Sequence, residues 1–154
     1  MILYRLSKQQ YINDLSGRGA ELTGGRWNSK GIPVLYTAES RALAAIEIAV
    51  HIPLGILPSN YHLATIQIPD IERAARINIE DLPSRWDAHP FIKITQQVGD
   101  NFVKANKHLL LQVPSATVKG DHNYLINPRH ADFSKVKIIG IEPFEFDSRL
   151  FKKG

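Results

Sequence analysis

Along the chain, short β-type runs of apolar residues alternate with two segments of helical period. Ile2 to Arg5 opens as a strand, and a polar stretch through Ser16, Gly17, Arg18 and Gly19 follows. Glu21 to Pro33 holds three glycines, two basic residues, Trp27 and Asn28, a composition that predicts an ordered loop. Val34 to Thr37 is a short β-rich run, and Ser40 is placed to cap a helix from Arg41 to about His51 that Pro53 ends. Its apolar stripe is Leu43, Ile46 and Val50. His62 to Ile68 alternates, with Ala64, Ile66 and Ile68 on one face, and the Ile77 and Ile79 pair predicts a further short strand. Phe91 to roughly Lys107 carries Phe91, Ile94, Val98, Phe102 and Ala105 at helical spacing, with Pro90 where a first-turn proline is tolerated. Gly99 weakens this helix by about 1 kcal/mol, less than the periodicity favours it. Leu109 to Val113 predicts a strand halted by Pro114, and Val136 to Ile141 another that leads into Glu142 to Phe146. Many short strands, with two helices separated by sheet, predict an α+β fold. No repeat or long linker divides residues 1–154, so a single domain is expected.

Composition narrows the function classes. With 44% hydrophobic and 22% charged residues, the chain lies in the ordinary globular range. The formal charge of +4 comes from scattered basic residues, which favours an anionic ligand over a nucleic-acid groove. Cysteine is absent, which removes thiol catalysis and cysteine-held metals. The opening MILYRL meets a charge too early for a signal peptide, and no stretch approaches the roughly 18 apolar residues of a membrane span. The expected location is the cytoplasm.

Candidate chemistry concentrates in a few places. In Gly24 to Gly31, glycines permit close backbone approach and Arg26 offers a rigid donor fork suited to phosphate or pyrophosphate. Trp27 is a candidate wall for an aromatic ligand. The alternative is a structural turn, with Arg26 on a carboxylate and Trp27 in the core. The spacing matches neither the Walker loop nor the Rossmann fingerprint. Tyr36 suits stacking on a base or pyridine ring, or simple core packing. Glu47 lies on the flank of an apolar helix stripe, where a carboxylate is either paired or functional. His51 follows one turn later, as an orienter, a salt-bridge partner or a helix-end residue. Ser115 ends a strand without a serine-hydrolase elbow, and Asn123 and Asn127 suit loop geometry or ligand amides. The six histidines show no ligand spacing, so no metal is expected.

Taken together, Tyr4-Arg5, Gly25-Arg26-Trp27-Asn28, Gly31, Val34-Leu35-Tyr36, Glu47, Pro114-Ser115-Ala116 and Asn123 to Pro128 resemble the RES-domain family. The resemblance implies a fold similar to the ADP-ribosyltransferase and diphtheria-toxin group, a split mixed sheet with flanking helices around an NAD cleft. It implies a toxin that cleaves the nicotinamide-ribose bond of NAD, with water or inorganic phosphate as acceptor. A related branch transfers ADP-ribose to protein. NAD is then a consumed substrate and no further cofactor is required. The family's arginine, tyrosine, glutamate and serine match Arg26, Tyr36, Glu47 and Ser115, and Trp27, Asn28, His51 and Asn123 are further NAD-binding candidates. The resemblance also implies a cognate Xre-like antitoxin, which would take any DNA contact, and a toxin homodimer inside that complex is a further expectation. Two readings compete: a protein-binding module of the same fold without turnover, and an RNA-directed toxin, which the sequence supports only through basic charge and scattered histidines.

Overall fold

A computed structural model describes residues 1–70 and 74–154. Among these residues seven strands form one mixed sheet: β1 (Ile2–Lys8), β2 (Leu35–Ala38), β3 (Tyr61–Gln67), β4 (Ala75–Arg76), β5 (Leu110–Pro114), β6 (His122–Ile126) and β7 (Lys137–Phe144). Their spatial order is β4-β5-β6-β2-β1-β3-β7, parallel at β4–β5 and antiparallel elsewhere. Among the described residues, three α-helices accompany the sheet: α1 (Arg18–Thr23), α2 (Arg41–Ala49) and α3 (Lys93–Ala105). The α+β expectation therefore holds. No helix among the described residues is long and apolar enough to cross a membrane.

The sheet is divided at its centre. β1 pairs with β3 from Ile2↔Gln67 to Lys8↔Tyr61, whereas β1 meets β2 in register only at Tyr4↔Ala38. Two half-sheets, β4-β5-β6-β2 and β1-β3-β7, thus diverge from one contact point. Strands that part leave backbone groups and side chains with no neighbour across the gap, and such a gap is where a ligand can enter.

Burial explains most elements and corrects several expectations. Ser40 caps α2 as predicted, its Oγ accepting from the Leu43 amide at 3.0 Å. The helix stops at Ala49 rather than His51, and it turns Leu43, Ala44 and Ala45 inward while Val50 is 57% exposed. That rotation moves Glu47 from the flank toward the sheet-facing side. α3 departs further: Phe91 and Ile94 are exposed, and the helix buries Thr95, Gly99, Asp100, Phe102 and Val103. Hydrogen-bonding loop partners and a close backbone approach outcompete the apolar stripe on this face. Pro90 lies outside the helix. β4 falls at Ala75–Arg76, and Ile79 instead begins a 3-10 turn. β6 and α1 occupy segments that the apolar pattern leaves as loop. β7 stands at one edge of the described sheet, and a register irregularity at Thr65/Ile66 interrupts its pairing, as bulges commonly do at sheet edges.

Candidate active site

A cavity of about 240 Å³ opens where β1 and β2 diverge, walled by Tyr4, Arg5 and Leu6 on one strand and Leu35 to Ala38 on the other. α1 contributes Arg18, Gly19 and Ala20, α2 contributes Ala44, Glu47 and Ile48, and Asn123 comes from β6. Gly17 closes the wall with φ +73°, and a Cβ there would lie 2.7 Å from the Val34 amide nitrogen, so only glycine fits.

Glu47 is the most elaborately held side chain of this cavity. Its Oε1 accepts from Ser115 Oγ at 2.7 Å and from Asn123 Nδ2 at 2.6 Å, and its Oε2 accepts from Thr117 Oγ1 at 3.1 Å. All three donors are neutral, so the carboxylate is oriented without a counter-ion in contact. Arg26 feels its charge without a hydrogen bond or ion pair between them. Ser115 Oγ also accepts from the Thr117 and Val118 amides at 3.1 and 2.9 Å. A hydroxyl offers one donor and two acceptor lone pairs, so Ser115 is saturated. It holds Glu47 and has no donor left for a ligand phosphate.

Tyr36 lies in β2 and lines the cavity. Its hydroxyl donates to Asn28 Oδ1 at 2.7 Å and accepts from the Trp27 amide at 3.1 Å. Burial pushes the phenol well above its ordinary range, so it stays protonated and serves as a fixed wall rather than a proton carrier. Gly25 makes this contact possible, because a Cβ there would lie 2.7 Å from the Tyr36 oxygen. Tyr36→Phe leaves the buried Trp27 amide and Asn28 oxygen without this partner. A loss of about 1–3 kcal/mol is expected in denaturant unfolding, and an unchanged midpoint would contradict the network.

The structure separates the remaining candidates. Trp27 is 3% exposed, packs in the core beside Trp86 and does not line the cavity. Asn28 is fully buried, its Nδ2 donating to the carbonyls of Ala20, Ser29 and Ile32, so it knots the loop and does not line the cavity. His51 is exposed beyond α2 and makes no hydrogen bond or ion pair with Glu47. Arg26 stands outside the cavity wall, its Nη1 donating to the carbonyls of Trp86 and Ala88 at 2.8 and 3.0 Å. Burial lowers its pKa, and the carboxylates of Glu47 and Asp87 oppose that shift. Among the described residues the cations that line the cavity are Arg5 and Arg18. Arg5 is partly buried, desolvation lowers its pKa, and both of its hydrogen bonds to described residues leave from Nη1, to the carbonyls of Tyr11 and Ile12. Its signal was the Tyr4-Arg5 pair inside an apolar strand, a charge where the pattern calls for none. Thr117 had no signal at all, since its role depends on how the β5–β6 connection folds back.

The RES domain model matches residues 2–147. The chain is 39% identical over 143 residues to the Prs ADP-ribosylating toxin of a Sphingobium species, covering 92% of this chain and 89% of that protein. It is 37% identical over 154 residues to Toxin Res of Photorhabdus laumondii, covering 99% and 98%. Toxin Res of Pseudomonas putida is 39% identical over 153 residues, covering 98% and 100%. A chain of the Mycobacterium tuberculosis MbcT-MbcA toxin-antitoxin complex shares the fold with a TM-score of 0.74 at 19% identity, covering 97% of this chain and 86% of that one. With that match across almost its whole length, the chain belongs to the RES-domain family.

Proposed function

We propose that this RES-domain protein is a toxin that consumes NAD by breaking the bond between nicotinamide and ribose. The observation that carries the reading is Glu47, a carboxylate in a cleft wall fixed by three neutral donors. Departure of nicotinamide leaves an oxocarbenium-like ribose, and a preoriented negative charge stabilises that cation more than it stabilises the ground state. In this reading the open side of the Glu47 carboxylate accepts from a ribose hydroxyl and steadies the growing positive charge. The Tyr36 ring walls the nicotinamide end. Ser115 and Asn123 position Glu47. Arg5 and Arg18 receive the pyrophosphate, while Arg26, tied to the 86–88 segment, acts on the site through its charge and that segment. Water or inorganic phosphate then takes the ribosyl carbon, giving ADP-ribose or ADP-ribosyl phosphate.

A second reading shares every step up to nicotinamide departure and passes ADP-ribose to a protein. It is favoured by the likeness to a relative named as an ADP-ribosylating toxin. Under either reading a cell that makes the chain needs restraint, so a cognate antitoxin of the Xre-like helix-turn-helix kind is part of the proposal. The solved toxin-antitoxin complex of the same fold supports such a partner. Toxin dimerisation within the assembly is read from the mass of the co-expressed pair.

Calorimetric titration of NAD into the Glu47→Gln protein tests the cleft without turnover. One site per chain is expected. Arg5→Ala should weaken that binding at least about tenfold, as loss of a charge-assisted bond does, and Arg26→Ala should weaken it less. The reverse order would assign the pyrophosphate to Arg26, and no binding heat from folded protein would remove NAD from the cleft.

A further inference from the structure

The bonds to Glu47 are distributed unevenly over its two oxygens. Ser115 and Asn123 both donate to Oε1, and only Thr117 donates to Oε2. The terminal torsion of a glutamate is soft and broad. Rotation about the last bond moves both oxygens together, so a donor on each oxygen narrows that torsion more than donors on one oxygen alone. The Thr117 hydroxyl is the donor that holds Oε2. A carboxylate has about four lone-pair sites, so three bound donors leave one acceptor direction, on the oxygen that Thr117 fixes.

We propose that Thr117 is a positioning residue that completes the hold on the Glu47 carboxylate by occupying one side of Oε2, and leaves that oxygen a single acceptor direction, suited to one ribose hydroxyl rather than to a two-point grip on a diol. This rests on the role given to Glu47 above. Thr117 does not line the cavity, so it acts through Glu47. Its backbone makes a separate contribution, the amide donating to Ser115 Oγ. A side-chain substitution leaves that bond in place, so the hydroxyl can be tested alone.

Thr117→Val has nearly the same shape and lacks the hydroxyl, and Thr117→Ser keeps the hydroxyl and lacks the methyl group. In NAD turnover, Thr117→Val should lose roughly tenfold or more in kcat, with KM within about threefold of the parent and an unchanged melting temperature. Thr117→Ser should stay within about threefold of the parent. Growth arrest on induction is the second readout, because it follows the toxin whatever accepts the ADP-ribose. If the parent arrests growth without degrading NAD, the NAD reading fails, and the Val and Ser variants still rank the hydroxyl through growth arrest. A Thr117→Val protein as active as the parent by either readout overturns the proposal. So does equal impairment of the Val and Ser variants, which would assign the effect to packing of the methyl group.

Discussion

Glu47→Gln is expected to lower NAD turnover by roughly 100-fold or more, about 2.7 kcal/mol of transition-state stabilisation, while the protein stays folded. The substitution keeps length and shape. The glutamine oxygen can still accept from Ser115 and Asn123, and its amide can donate to the Thr117 hydroxyl, which turns from donor to acceptor, so the cluster that holds the side chain survives. What disappears is the negative charge, and at the Oε2 position an amide N–H donor replaces the acceptor, to which a ribose hydroxyl can present its own oxygen. An oxocarbenium-like transition state feels that loss directly, whereas bound NAD, whose ribose is not yet cationic at that carbon, feels it far less. The effect should therefore fall on kcat, with NAD affinity nearly retained. Nicotinamide release followed at saturating NAD, beside a thermal melt of the same protein, separates chemistry from folding. Comparable turnover in the variant would take Glu47 out of the mechanism.

Gly99→Ala should destabilise the protein by about 3 kcal/mol or more, where the same change in an exposed helix interior would stabilise it by up to about 1 kcal/mol. A Cβ built on Gly99 lies 1.6 Å from the Trp27 carbonyl oxygen and 2.7 Å from its carbon. Both are backbone atoms, so no rotamer change relieves the clash and α3 must withdraw. Withdrawal pulls on the bonds from Gln96 Nε2 to the carbonyls of Gly25 and Asn28 and on the bond from the Ser29 amide to Asp100. These anchor the loop whose Trp27 amide and Asn28 oxygen hold the Tyr36 hydroxyl. For a domain of this size the melting temperature should fall by roughly 6–12 °C, and NAD binding should weaken with it. A variant as stable as the parent would mean that α3 does not approach the loop this closely.

Particular residues mark where the sequence was informative. The Ser40 cap, the alternation after His62 and the Leu109 to Val113 run identify real elements because each depends on local chemistry or on burial of one face. β6 escaped notice because His122 and Asn123, at its start, look like loop residues. In the fold Asn123 stands at a strand end beside Glu47, and Tyr124, Leu125 and Ile126 are buried in the sheet interior. α3 was found with its inward face only partly right: Phe102 is buried and Val98 packs on the core as the stripe predicts, but periodicity ranks Phe91 and Ile94 above Gly99 and Asp100, and the fold exposes the first pair and buries the second. Only the tertiary partners, the Trp27 carbonyl and the Ser29 amide, reverse that ranking. Within the site, Glu47, Tyr36, Ser115 and Asn123 were legible, and the structure gathers Glu47 with Ser115 and Asn123 in one cluster. For Trp27 the sequence left ligand wall and core both open, and Asn28 was an NAD-binding candidate through the resemblance; the structure buries both. Burial is long-range information, as is the return of the β5–β6 connection that brings Thr117 onto Glu47.

Product analysis of NAD by mass-resolved chromatography is the most direct test of the central claim, that this cleft breaks the nicotinamide-ribose bond. Purified, antitoxin-free protein is incubated with NAD in phosphate-free buffer, with inorganic phosphate, and with bacterial extract as a source of protein acceptors, each beside the Glu47→Gln protein. The account predicts nicotinamide release that depends on Glu47, joined by ADP-ribose with water, by ADP-ribosyl phosphate with phosphate, or by ADP-ribosylated protein in extract. NAD left intact by folded protein under all three conditions would contradict it.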